Sequence, residues 1–157
     1  MAQVTPEKTV KVGVVGGGFG RTHILAYRTT PGVEVTAFCQ RTKASAERVA
    51  REFGIPHVFT DYREMLVQGD LDAVSLTTPT NVHLAMACDA FDHGVSVLCE
   101  KPIAMHQEEA AAMLKRAEEA RLRRHVLLSR DLRDIRGRFD PKHWNPGLNE
   151  VLEQVTV

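Results

Sequence analysis

The stretch VKVGVVGGGFGRTH, residues 10–23, decides how the rest of the chain reads. Val10, Val12, Val14 and Val15 make an apolar run short enough for a buried strand. The run breaks into Gly16, Gly17, Gly18 and Gly20, and Ile24, Leu25 and Tyr27 follow at helical spacing. A strand that passes through a glycine turn into a helix is a place to set down a pyrophosphate. Glycines let the backbone come close, and the free N–H groups at the helix start hold the negative charge. The common fingerprint for this task is G-x-G-x-x-G. Gly16 and Gly18 fit its first two places, whereas the third falls on Arg21 and Gly20 stands one residue early. Alone, the pattern also fits a glycine-rich turn that holds no ligand.

Outward from this stretch, strand and helix signals alternate. A helix is expected over 19–30, stopped by Pro31-Gly32, and a β-branched strand over 33–39. Thr42 or Ser45 can cap the next helix, whose stripe is Ala46, Val49, Ala50 and Phe53, ended by Gly54. A short strand over 57–59, a helix over 61–68 and a strand over 72–77 come next. Pro79 ends that strand, and a helix over 81–93 turns Leu84, Cys88 and Phe91 inward. A strand over 95–99, a helix over 105–121 and a sixth strand over 125–128 complete the series. Such alternation requires a parallel sheet, and the expected fold is α/β, a doubly wound Rossmann sheet of order 3-2-1-4-5-6. Any ligand then sits outside the carboxyl ends of the strands.

Residues 1–128 thus read as one dinucleotide-binding domain. Residues 129–157 read as an irregular basic tail with a weak helix and turn signals at Asp140-Pro141 and Asn145-Pro146-Gly147. The tail's arginines lack interleaved aromatic residues to stack bases, and Asp131 and Asp134 dilute their charge. The 157 residues balance 20 Lys+Arg against 20 Asp+Glu, so no overall field recruits nucleic acid or an anionic membrane. Cys39, Cys88 and Cys99 lie in apolar runs without C-x-x-C spacing and read as reduced core residues of a cytoplasmic protein. No stretch is long enough to span a bilayer.

Three more turns fall on the expected ligand edge. Gln40-Arg41 follows the second strand, where an acidic residue suits the 2′-hydroxyl of NAD and an arginine the 2′-phosphate of NADP; a solvated loop is the plain alternative. Thr77-Thr78-Pro79-Thr80-Asn81-Val82-His83 follows the fourth, either a ligand loop or a capping turn. His83 has no second ligand at metal spacing on its helix, so no metal is expected. Glu100-Lys101-Pro102 follows the fifth, and a Lys-Pro peptide there can be cis. A lysine facing a cleft can hold a substrate hydroxyl or serve in proton transfer, while a surface lysine reads the same.

In combination these segments are more specific. GVVGGGFGRTH, CQRT, DYREML…LDAVSLTTPTNVH and VLCEKPIA occur in order, and residues 10–119 resemble the N-terminal domain of the glucose-fructose oxidoreductase / inositol dehydrogenase (Gfo/Idh/MocA) family. G-x-G-F-G with a nearby histidine is similar to a variant found in some members. The resemblance implies that the domain binds NAD or NADP and that a hydroxyl on a sugar, inositol or similar polyol is oxidised or reduced. It makes Lys101 the residue that reaches substrate and nicotinamide. It makes Thr78, Pro79, Asn81 and His83 line the cofactor, and with the glycine turn at Gly16, Gly18, Phe19 and Gly20, the Gln40-Arg41 loop and Glu100-Lys101 these form the expected cofactor site.

Members of that family are about twice this long. Their second α+β domain supplies a substrate pocket and an acid/base histidine, and nothing in these 157 residues matches it. The expectation is therefore an oxidoreductase-family protein that prefers NADP(H), with NAD as the other cofactor, weak or inactive alone, and self-associating to a homo-oligomer. A non-catalytic nucleotide-binding subunit or sensor, and a truncated gene product with a rewritten tail, are the alternatives.

Overall fold

The computed structural model describes residues 9–120. The expected sixth strand, the end of the last helix at Arg121 and the tail over 129–157 lie outside them. In chain order the elements are β1 (Val10–Val15), α1 (Gly20–Arg28), β2 (Val33–Cys39), α2 (Lys43–Phe53), β3 (His57–Phe59), α3 (Tyr62–Gln68), β4 (Ala73–Leu76), α4 (His83–Asp92), β5 (Ser96–Cys99) and α5 (Gln107–Glu119). A 3₁₀ turn over Thr80–Val82 leads into α4. The strands form one parallel sheet of order β3-β2-β1-β4-β5.

Alternation along the strands builds a core on each side of that sheet. Val12, Val14 and Phe38 pack with Ile24 of α1 and Ala46, Val49 and Ala50 of α2. Val15, Ala37, Cys39 and Leu76 pack on the other face with Met65, Ala87, Phe91 and Met113 of α3, α4 and α5. This is the period-2 consequence of the pleat, and it gives the doubly wound arrangement. Burial pushes the Cys39 and Cys99 thiols up to about 12, so both behave as small apolar side chains.

The helix boundaries follow local chemistry. Thr29 and Thr30 hydroxyls both donate to the Ala26 carbonyl and close α1 before Pro31. Thr42 occupies the cap position of α2 without a side-chain bond, whereas Asp61 accepts from the Arg63 N–H and caps α3. The helix expected over 81–93 differs most. Pro79 is extended, with φ −60° and ψ 144°, and the chain recovers through the 3₁₀ turn before the α-helix starts at His83. Its buried stripe is His83, Ala87, Ala90 and Phe91, while Leu84 and Cys88 are half-buried. Helix α4 packs on α5 as well as on the sheet. No helix among the described residues is long and apolar enough to cross a membrane.

Register places the four strand ends side by side. Val15 is paired with Cys39 and with Leu76, and Leu76 with Cys99. The turns that leave them begin one residue later, at Gly16, Gln40, Thr77 and Glu100. Their N–H groups donate across the edge: Gly16 to Cys39, Gln40 to Phe59, Thr77 to Val15 and Glu100 to Leu76, at 2.9–3.1 Å.

Candidate functional site

At the edge defined by these four turns the strand order reverses between β1 and β4, the place where a doubly wound sheet opens its ligand crevice. Gly16 takes φ +109°, and a Cβ there would lie 2.7 Å from the Thr77 carbonyl oxygen, so the turn closes only on glycine. Gly20 is buried against Thr77 Oγ1 and Val14. That hydroxyl donates to the Val15 carbonyl at 2.8 Å and ties the glycine turn to the end of β4. Gly18 differs: it is exposed, and a Cβ there would meet no protein atom within 4 Å. Phe19 is 65% exposed beside it.

Helix α1 starts with no side-chain cap and no acidic residue in its first turn. The first N–H groups of a helix lack intrahelical acceptors and carry the positive end of its dipole. The glycine turn thus delivers an uncapped, electropositive helix start to the crevice. Across from it the Gln40 amide packs on Gly17, and its Oε1 is buried with no hydrogen-bond partner among the described residues. An open cradle at Gly18, an uncapped helix and an orphaned amide oxygen together fit a nucleotide diphosphate with its adjoining ribose. Arg41 is exposed at the outer end of this row.

The remaining residues singled out in the sequence divide into two groups. Pro79, Asn81 and Lys101 are exposed, and Thr78 is half-buried with its hydroxyl 3.5 Å from Met86 Sδ. His83 is instead 1% exposed. Its Nε2 lies 2.8 Å from the Thr78 carbonyl and its Nδ1 3.1 Å from the Pro102 carbonyl. Both partners are acceptors and a neutral imidazole carries one N–H, so the ring donates to one of the two carbonyls and packs against the other, beneath both turns. Glu100 is also buried, at 7% exposure, and its Oε2 accepts the Lys101 N–H at 3.2 Å. The Lys101–Pro102 peptide is cis.

Beneath this edge lies a polar cluster. His23, 1% exposed in the first turns of α1, has Nδ1 2.6 Å from Ser75 Oγ and Nε2 2.8 Å from Glu100 Oε1. Tyr27 stands edge-on to the His23 ring, centroids 6.3 Å apart; burial pushes its hydroxyl up to about 12, with Ser75 pulling the other way. Sequence reading passed over Ser75, whose one signal was a small polar residue inside the apolar run of β4. One depression among the described residues, lined by Ile24, Arg28, Val33, Phe53 and Ile55, lies at the opposite edge of the sheet and does not communicate with Lys101.

Sheet order, the glycine turn and the row of strand-end loops define a doubly wound α/β protein of the Rossmann class. Within that class the chain belongs to the Gfo/Idh/MocA oxidoreductase family: the family model described as oxidoreductase family, NAD-binding Rossmann fold, matches residues 10–128. The chain is 32% identical over 139 residues to the scyllo-inositol 2-dehydrogenase (NAD(+)) of Bacillus subtilis, covering 87% of this chain and 39% of that one. It is 34% identical over 109 residues to the D-xylose 1-dehydrogenase (NADP(+)) 2 of Haloferax volcanii, covering 69% of this chain and 34% of that one. Scyllo-inositol dehydrogenase from Lactobacillus casei, solved with bound NAD(H) and scyllo-inositol, superposes with a TM-score of 0.69 at 28% identity, over 74% of this chain and 35% of that one. The chain therefore spans less than half the length of these relatives.

Proposed function

We propose that these residues bind a nicotinamide dinucleotide across the β1–β4 crevice, with NADP(H) preferred over NAD(H), and serve a sugar or polyol oxidoreductase. The observation that carries this reading is the in-register row of turns, at Gly16, Gln40, Thr77 and Glu100, on one sheet edge. The diphosphate rests on Gly16, Gly18 and Gly20 at the start of α1, with Phe19 beside it. Gln40 takes the adenosine ribose, and Thr78, Pro79 and Asn81 flank the centre. Lys101 reaches the nicotinamide and the substrate hydroxyl, with Glu100 and His83 acting from below. The bound cofactor would supply the hydride acceptor; the chain's own residues bind and orient it. Relatives named for NAD(+) and for NADP(+) both occur, so the family alone leaves the choice of cofactor to this chain's loop.

Gln40 carries no charge to repel a 2′-phosphate, and Arg41 can form a charge-assisted hydrogen bond to it. Arg41→Ala is expected to weaken NADP+ about tenfold and leave NAD+ nearly unchanged in calorimetric titration. Equal affinities of the parent for NADP+ and NAD+ would remove the preference from the account.

Self-association belongs to the same reading. Phe19 and Met105 are 65% and 56% exposed on the ligand edge, and apolar side chains left open at a cleft find partners. Light scattering is expected to report a dimer or larger at micromolar concentration; a clean monomer would contradict it. The cytoplasm is the compartment that suits three free thiols.

A further inference from the structure

We propose that His23 is a positioning residue: it holds Glu100, and through Glu100 the backbone of Lys101, so that the nicotinamide end of the cleft is set from helix α1. The proposal rests on the dinucleotide reading above, in which Lys101 faces the nicotinamide.

The geometry is a chain of contacts with one exposed end. Lys101 stands between two residues that are each held from beneath. On one side the Pro102 carbonyl meets His83 Nδ1 at 3.1 Å. On the other, Glu100 Oε2 accepts the Lys101 N–H at 3.2 Å, and Glu100 Oε1 lies 2.8 Å from His23 Nε2. A carboxylate can only accept, which puts a hydrogen on Nε2 and directs that bond from ring to carboxylate. Ser75 Oγ, 2.6 Å from Nδ1, fixes the ring from the back, and the Tyr27 ring stands edge-on to it with centroids 6.3 Å apart. His23 is 1% exposed, so whatever it does at the cleft it does through Glu100.

Stability alone does not account for the arrangement. A buried acid–histidine pair pays desolvation on both partners, and an apolar pair of similar volume holds a core equally well. What the pair supplies is direction. It links α1, whose start receives the diphosphate, to the end of β5, 77 residues away in sequence, where Lys101 emerges. The two halves of the cleft are thereby set by one rigid strut.

The test compares NADH with ADP, which shares the adenosine and diphosphate and lacks the nicotinamide riboside. In His23→Leu the Kd for NADH is expected to rise about tenfold while that for ADP stays within about twofold. His23→Gln, which keeps a donor near the Nε2 position, is expected to bring NADH back to within about threefold of the parent. A merely structural role would weaken ADP and NADH together and gain nothing from glutamine, and either result would overturn the proposal, as would no change at all. If His23→Leu does not fold, Ser75→Ala takes its place: an NADH-specific loss supports the strut, and parallel or absent losses overturn it. Amide hydrogen exchange gives a readout without ligand. Exchange at the Lys101 N–H is expected to quicken in the variants while that of the Val14 N–H stays put. A parent that binds neither NADH nor ADP overturns the dinucleotide reading; selective quickening at Lys101 would then still establish the strut, and its absence would dismiss it.

Discussion

Gly18→Val is expected to abolish NADP+ binding and leave the fold standing. The reason lies in the contrast between neighbouring glycines. Gly18 is not among the glycines with positive φ, and a Cβ built there meets no protein atom within 4 Å. A valine side chain thus costs the protein little, within the range of about half a kcal/mol seen for ordinary surface substitutions. It projects into the open space over the start of α1, where the account puts the diphosphate. Loss of close backbone approach to two phosphates should weaken binding by about a hundredfold or more. Gly16→Ala offers the opposite result: at φ +109° and 2.7 Å from the Thr77 oxygen, the added methyl strains the turn itself and lowers the melting temperature. Calorimetry with NADP+, paired with thermal denaturation, separates the two. Equal NADP+ binding by the parent and Gly18→Val would show that the diphosphate lies elsewhere.

Negligible dehydrogenase turnover by this chain alone is the second large effect. Hydride transfer needs a substrate carbon held against the nicotinamide, and such positioning is worth roughly 7–11 kcal/mol of barrier. It also needs a base for the hydroxyl proton, worth roughly a hundred- to ten-thousand-fold. Lys101 is exposed at the end of β5 and can supply one contact, but no described residue forms a shaped polyol pocket beside it. His83 cannot reach out to a substrate or to a neighbouring chain, because its ring is buried and both nitrogens face backbone carbonyls. A screen of inositols and sugars with NADP+ and NAD+, followed at the nicotinamide absorbance, is expected to stay at background. Robust turnover that vanishes in Lys101→Ala would overturn this and make the chain a compact enzyme.

Much of this was legible in the sequence because it is local. The valine run, the glycine turn and the Pro-Gly break are patterns within a few residues, and they place β1, α1 and β2 almost where the structure has them. Parallel order followed from alternation, since short loops and crossover helices leave few other topologies. The error at α4 had a local cause that pattern reading underweights: an extended Pro79 spends Thr80–Val82 on a 3₁₀ turn and rotates the stripe that follows. The His23 cluster was not legible for the opposite reason. Its partners lie 52 and 77 residues from His23, and no spacing rule joins a helix residue to a serine in one strand and a glutamate past the end of another. His83 was visible as a residue of the Thr-Pro turn, but not as a brace. Whether a histidine faces the cleft or the backbone depends on packing that only the assembled sheet decides.

Amide NMR of the labelled protein titrated with NADP+ decides whether one sheet edge receives a nicotinamide dinucleotide. The account predicts saturable shifts gathered on residues 16–20, 40–41, 77–81 and 100–101, with Gly32, Gly54 and Gly94, which precede β2, β3 and β5 at the far edge, unmoved. Shifts centred on those far-edge glycines, or no saturable shift up to about 1 mM NADP+, would contradict it.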